Sequence, residues 1–534
     1  MLRPSDHIDS AHANPGDDVR EIRLSLGGWL RWAWRQITSM RTALILLLLL
    51  AIAAVPGSIF PQRSSDPNGV TQYFADNPDT AAWLEGFQLF DVYTSVWFSA
   101  IYLLLFISLV GCVIPRAKHH WDALRSAPPA TPQNLNRLPA HLTARMPGVS
   151  PDAAIAAAES VLRRDRYRVR RYDAANRLTV SAERGYMRET GNLVFHVALV
   201  GVLIAVGLGG GFGYAGQRVV VEGQAFTNSL IAYDSFSPGR FFSDATLSPF
   251  SLRLDKFTTR YEETNVNAVG QPIDYTADVT IEQRGEEPVG DVIKVNEPLN
   301  IGGSDVYLLG NGYAPEVTVR DAAGSVIYQE AVPFLPQDRN LTSVGVVKLP
   351  DGLKQQVGLI GFFYPTVNEG HAGASFSMYP DLLDPMLTFN VYVGDLGLND
   401  GVPRSVYALD TSKLTKLTGT KTNLPSLELR PGDTAQLPNG LGSVSLETVK
   451  RFASLDVHRD PAQGWVLVFA IAAVAGLLTS LFIPRRRVWI SVREQADGTV
   501  VEYAALARGD DPTLSAALTH IANAHGSNLG LERD

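Results

Sequence analysis

The sequence predicts a multi-span α-helical membrane protein with four TM helices, a large extracytoplasmic all-β domain (sandwich or open barrel) and a small cytoplasmic α+β lobe. Three observations carry this expectation. Four long stretches contain no Asp, Glu, Lys or Arg: Thr42–Gln62, Val92–Pro115, Thr190–Gln217 and Pro461–Pro484. Each reaches the ~20 residues that cross a bilayer core as a helix. Charged residues are 19% of the 534, against 46% hydrophobic, below the ~25% of an average soluble chain. The basic residues are also unequally divided among the segments that join the spans.

The order of elements follows. Residues 1–41 form a cytoplasmic N-terminal segment whose first ~20 are polar and read as disordered. Residues 42–62 are the first span, 63–91 an outer loop and 92–115 the second span. Residues 116–189 are the cytoplasmic lobe and 190–213 the third span. Residues 214–464 are the extracytoplasmic β domain, 465–484 the fourth span, and 485–534 a cytoplasmic hairpin and helix. The small residues Ala51–Ala54 before Pro56 resemble a cleavage site, but some 40 residues ahead of them are too many for an ordinary signal-peptide n-region. Arg116–Glu189 holds 14 Lys/Arg against 7 Asp/Glu, whereas the first outer loop has only Arg63 against five acids. The segment between spans three and four has 19 basic and 30 acidic residues. The positive-inside rule therefore places both termini and the middle loop in the cytoplasm of a cell-membrane protein. Trp34, Tyr93, Trp97 and Trp465 at span ends fit interfacial anchoring.

Within the outer region, Phe250, Leu252 and Leu254 alternate with polar residues, as do Leu387, Phe389, Val391 and Val393. Val317–Val319 and Val326–Tyr328 flank a turn at Asp321–Gly324, and Leu427–Leu437 pairs with Ser443–Val449 through Pro438-Asn439-Gly440. Inside, Ser150 and Pro151 open a helix to about Arg164, followed by a hairpin of Tyr167–Arg171 and Leu178–Ala182. The arginines from Arg163 to Arg171 form a basic stretch, read as a solvated face with anionic lipid as the alternative. Val488–Val492 and Val500–Tyr503 flank Asp497-Gly498 as a second hairpin, and Pro512–His525 reads as a short helix.

Composition also narrows the chemistry. A net charge of -8 argues against nucleic-acid binding. The single cysteine, Cys112, leaves no intrachain disulfide, dithiol or c-type haem attachment motif. It is read as a packing residue near the inner end of span two. No Walker A loop, nucleophile elbow or H-E-x-x-H helix is present, and no catalytic residue is assigned. His196 is the strongly ionisable residue set well inside a span, about six residues and roughly 9 Å past the cytoplasmic boundary. Intramembrane ionisable residues are costly and face a bundle interior or a functional path. Glu189 and Asn192 lie seven and four residues earlier, on the same helix face. A neutral imidazole there can ligate a haem iron entering from the cytoplasmic leaflet. The alternative is a histidine hydrogen-bonded to a neighbouring helix. His458, just outside span four, is a candidate outer ligand or a solvated juxtamembrane histidine. His119 and His120 are read as part of the basic inner flank after span two, and His371 as a residue of a flexible Gly-rich loop.

The chain resembles the ResB proteins of System II cytochrome c biogenesis. The resemblance rests on Gly57-Ser58-Ile59-Phe60-Pro61-Gln62, Phe90–Phe98, Cys112–Arg116, Gly191-Asn192-Leu193-Val194-Phe195-His196, Val295–Leu299 with Tyr307, and Asp460-Pro461. It implies a subunit that works with a multi-span partner of the ResC/CcsA type. Together they would carry haem b across the membrane, transiently bound and kept reduced, and join it to apocytochrome c, whose C-x-x-C-H thiols add to the haem vinyls. The resemblance carries the family's histidine role to His196 alone, as haem and metal ligand, with the other ligand supplied across the subunit interface. Asn192 and Glu189 are then residues that support the haem ligand or the helix interface, and Asn192 and His458 are further haem-binding candidates. Because this chain has no dithiol, a separate thiol reductase is implied. Two other readings stay open: a scaffold that only stabilises the partner, and an outward-facing ligand-binding or sensor protein.

Overall fold

The structure is a computed structural model that describes residues 25–174, 177–368, 375–398, 407–495 and 498–531. The polar first ~20 residues, His371 and Asp497 lie outside the described residues. By its internal contacts the chain divides into two compact units: 1–62, 68–205 and 464–534 form a helical unit, and 63–67 with 206–463 form a β unit.

In the helical unit, α1 (Leu26–Ile37) precedes α2 (Met40–Ile59), whose N-terminus is capped by Ser39 accepting the Thr42 N–H at 3.2 Å. Two short helices follow, α3 (Pro67–Asp76) and α4 (Pro78–Gly86), where the sequence reading had only a loop. Each starts at a proline, which suits the first helical turn because its missing N–H is not needed there. The next helix, α5 (Val96–Arg125), does not stop at Pro115 as expected. Proline inside a membrane helix is tolerated, and the Arg-Ala-Lys sequence beyond it favours helix. Then come α6 (Pro151–Arg164) and α7 (Met187–Phe212), and after the β unit α8 (Gln463–Phe482) and α9 (Leu514–Asn528). Four of these, α2, α5, α7 and α8, are long and apolar enough to cross a membrane. Their apolar windows are only 11–22% buried, so most of their side chains face outward.

Small residues set the helix contacts. Ser108 Oγ donates to Ile37 O at 2.6 Å and Cys112 Sγ to Thr38 O at 2.9 Å, which ties α5 to the α1–α2 junction. Tyr102 of α5 donates to Leu203 O of α7. Helices α7 and α8 meet backbone to backbone: a Cβ on Gly191 would lie 2.6 Å from Gly476 O, and one on Gly476 2.7 Å from Gly191 O.

The lobe holds a five-stranded antiparallel sheet in the order Ala140–Met146, Gly498–Ala507, Arg486–Gln495, Arg177–Arg184, Arg168–Ala174. The C-terminal hairpin is thus not a separate element but the centre of this sheet. Burial explains the merger. Val488, Ile490 and Val492 alternate inward with Val501, Tyr503 and Ala505, and α6 and α9 cover them with Ile155, Leu162, Leu518 and Ile521. Neither half could bury its apolar face alone.

Among its described residues the β unit contains three antiparallel sheets of seven, six and four strands. Its spine is the pairing of Ser304–Arg320 with Gly442–Arg459, two strands long enough to serve both of its larger cores. Phe250–Tyr261 pairs with Pro272–Gln283 in the four-stranded sheet, and Met386–Val393 lies between Val357–Tyr364 and two short strands in the six-stranded one. The expected strand Leu427–Leu437 is two strands. Pro431 and Gly432 (φ +90°) break it, so that Leu427–Leu429 pairs with Met386–Val393 and Thr434–Leu437 with Gly442–Arg459.

Candidate functional site

One cavity in the helical unit, with a volume of about 540 Å³, gathers residues from four segments. The C-terminal half of α5 gives Val113, Pro115, Arg116, His119 and His120. The first turns of α7 give Arg188, Glu189, Asn192, Leu193 and His196; α8 gives Ser480, and the chain after the last sheet strand gives Arg508. That volume lies within the ~300–1,000 Å³ of small-molecule sites.

His196 is held by its own helix. Its Nδ1 is 2.7 Å from Asn192 O. A carbonyl only accepts, so Nδ1 is the donor, and in the neutral ring Nε2 keeps its lone pair. This is the state in which an imidazole binds a metal through one nitrogen while the other is anchored by a carbonyl. Phe195 packs edge-on against the ring at 5.1 Å. Asn192, also on the cavity wall, contributes through its backbone rather than its amide, a role the sequence did not specify.

The mouth is ionic. Glu189 in the first turn of α7 forms ion pairs with Arg485 and Arg508, and stands 3.6 Å from His120 Nδ1. Beside it Glu183, only 4% exposed, binds Arg485 at 2.6 Å and Arg487 at 2.9 Å and accepts the Tyr186 hydroxyl at 2.8 Å. Burial pushes the Glu183 carboxyl up, but the hydrogen bonds and the two guanidinium charges outweigh it, and the group ends below the usual carboxylate range. Arg188 donates to Arg508 O, and Arg116 reaches the Met40 thioether at 3.4 Å. Neither has a carboxylate partner among the described residues.

His120 departs from the sequence reading. On sequence it reads as part of the basic inner flank after span two, and it is buried. Its Nε2 is 3.0 Å from Thr190 Oγ1, and its buried Nδ1 has no hydrogen-bond partner among the described residues. The signal was present in the spacing. Val113, Arg116 and His120 fall on one face if the helix runs through Pro115, but the proline was read as its end. Arg508, more than 300 residues from Glu189, had no local signal at all.

His458 does not join this set. It lies in the β unit on Gly442–Arg459, with Nε2 2.6 Å from Asp456 Oδ2 and Tyr307 edge-on at 5.9 Å. The Asp456 hydrogen bond raises its pKa despite partial burial. The β unit's Arg451 is likewise committed internally, to Asp381 at 2.5 Å and to the Tyr313 ring. No group of three or more His, Cys, Asp or Glu suited to a metal ion occurs among the described residues.

A family model described as the ResB-like family matches residues 40–519. The chain is 25% identical over 427 residues to a protein of Gloeobacter violaceus named cytochrome c biogenesis protein CcsB, covering 73% of this chain and 81% of that one. It is 25% identical over 480 residues to the protein of that name from Paulinella chromatophora, covering 86% and 91%. It is 26% identical over 492 residues to that of Synechococcus sp. strain RCC307, covering 88% and 91%.

Proposed function

The chain belongs to the ResB-like family, and from that premise we propose that it is a membrane subunit of a cytochrome c biogenesis complex that binds haem b in transit at the cavity around His196. The family match and the relatives' name support a role in cytochrome c biogenesis. The haem reading rests on one observation: Nδ1 of His196 is anchored to Asn192 O, which leaves Nε2 free on a cavity wall. Haem is the cargo, and its iron supplies the ligation and its vinyls the bonds to apocytochrome thiols. The chain's own part is to hold it. His196 fixes the iron, Asn192 O fixes the ring, and Val113 and Leu193 give apolar wall.

The charge bias of the connecting segments supports a cytoplasmic mouth for this cavity, cytoplasmic termini and an extracytoplasmic β unit. The mostly outward-facing apolar surfaces of α2, α5, α7 and α8 supply area for a multi-span ResC/CcsA-type partner, which would bring the second iron ligand. Apocytochrome c meets the outer side, and a separate thiol reductase supplies its reduced cysteines, since Cys112 is the only thiol here and donates to Thr38 O.

The test is the absorption spectrum of the chain purified with its partner, wild type against His196→Gly. Loss of the haem Soret band, restored by imidazole, is the expected result. An unchanged band with normal cytochrome c maturation leaves the scaffold reading and moves the haem site to the partner.

A further inference from the structure

The cavity carries more positive charge than its own carboxylate can balance. Arg116, Arg188 and Arg508 stand on its wall, and Glu189 is the single carboxylate among its lining residues. Glu189 is already shared between Arg508 and Arg485. Arg116 and Arg188 have only a thioether and a backbone carbonyl as partners. A guanidinium on the wall of a partly apolar cavity is stable when a carboxylate or phosphate meets it, and its planar fork suits a carboxylate in bidentate fashion. A second observation points the same way. His120, more than nine-tenths buried on the same wall, turns its Nδ1 to the Glu189 carboxylate at 3.6 Å, a further claim on the cavity's one carboxylate.

The layout is graded. Arg188 and Glu189 begin α7, while His196 lies about two turns further along, roughly 12 Å from Arg188 at 1.5 Å per residue. Arg188 and Glu189 therefore lie at one end of the cavity and the free imidazole nitrogen about two turns further along α7, with Leu193 between them. An amphipathic dianion fits this arrangement, with an apolar body, a ligatable centre and two acids on one edge.

We infer that Arg116 and Arg188 form the carboxylate-binding rim of this cavity, so that it selects a ligand by two carboxylates on one edge and takes haem with its propionates toward the charged mouth. This rests on the haem reading above, and the experiment separates the two. The full chain with its partner is titrated with haem and with haem dimethyl ester, following the Soret band. Each charge-assisted contact is worth about tenfold in affinity. Wild type is expected to bind the diacid at least tenfold more tightly than the diester. The preference is expected to collapse toward unity in Arg116→Gln/Arg188→Gln and to survive partly in the charge-preserving Arg116→Lys/Arg188→Lys.

Equal affinities for diacid and diester in the unmutated protein overturn the inference without any variant. A preference that persists in the Gln pair overturns it too. Loss of bound phospholipid phosphate in the Gln pair, with the diacid preference intact, identifies the rim as a lipid headgroup site instead. A Soret band that ignores His196→Gly overturns the haem reading itself, whatever the ester comparison shows.

Discussion

The two units make opposite use of their charged residues. Among its described residues the β unit contains three sheets and two large apolar cores, and several of its charged groups are paired with one another: His458 with Asp456, Arg451 with Asp381 and the Tyr313 ring, Arg218 with Asp234. The helical unit gathers Arg116, Arg188, Arg508, Glu189, His120 and His196 around one cavity and leaves Arg116 and Arg188 without a carboxylate partner among the described residues. A group satisfied inside the fold is structure. A group held in place with a lone pair or charge to spare is available to a ligand. By that criterion the β unit offers surface and the helical unit chemistry.

The sharpest way to break this comparison is a pair of substitutions, one in each unit. His196→Ala is expected to leave stability within about 1 kcal/mol and to abolish both the Soret band and cytochrome c maturation. Phe389, fully buried in the β unit, loses about 3–5 kcal/mol on truncation to Ala. That variant is expected to become protease-sensitive between residues 214 and 459 while keeping the Soret band. If Phe389→Ala also erased the band at normal expression, chemistry would not be confined to the helical unit.

A second test asks how far the ionic mouth is structural. Glu183 and Arg485 are both nearly inaccessible, so Glu183→Gln breaks a buried ion pair and leaves Arg485 with Glu189 as its remaining carboxylate. Breaking a buried pair costs about 3–5 kcal/mol when it leaves an uncompensated charge, and the remaining Glu189 contact puts the expected loss at or below the lower end. The pH dependence has a definite sign. The folded carboxyl lies below its unfolded value, so its contribution is full above the ordinary glutamate value of about 4.3 and lost as pH falls below it. Acid unfolding of the lobe, read from the buried Trp489, is expected to be steeper in wild type than in Glu183→Gln. Equal steepness would assign the acid transition elsewhere, with Asp511 on Arg486 the next group to test.

The sequence yielded those parts of this picture that depend on local pattern. The apolar, charge-free runs marked α2, α5, α7 and α8 because a bilayer imposes length and composition on each span separately. The face shared by Glu189, Asn192 and His196 was legible because helical spacing is local. What depended on distant pairing was not. The merger of Arg486–Gln495 with Arg177–Arg184 joins strands some 300 residues apart, and it is this merger that brings Arg485 and Arg508 to Glu189. The continuation of α5 past Pro115 was hidden for a different reason: soluble helices end at proline, and a packed membrane helix need not. His120 was misplaced as a consequence.

The smallest expected effect sets two histidines against each other. His525 is fully buried, with Nδ1 2.7 Å from the Tyr503 hydroxyl and Nε2 2.8 Å from Ala154 O. Burial holds its pKa below the ordinary histidine value. Its contribution is therefore present above about pH 6.5 and lost as pH falls from there. His458 has the opposite sign. The Asp456 carboxylate raises its folded pKa, so its contribution is full below about pH 6.5 and fades as pH rises through the folded value. The His458 ring is half exposed, which limits the pair to about 0–1 kcal/mol. Titration of ¹³Cε1-labelled histidines in the full chain, with each signal identified by its loss in His525→Gln or His458→Gln, measures both. The expected order is His458 above and His525 below a solvent-exposed reference histidine. If His458 titrated at or below that reference, Asp456 would not be holding its proton, and His458 would regain its standing as a free ligand on the outer side.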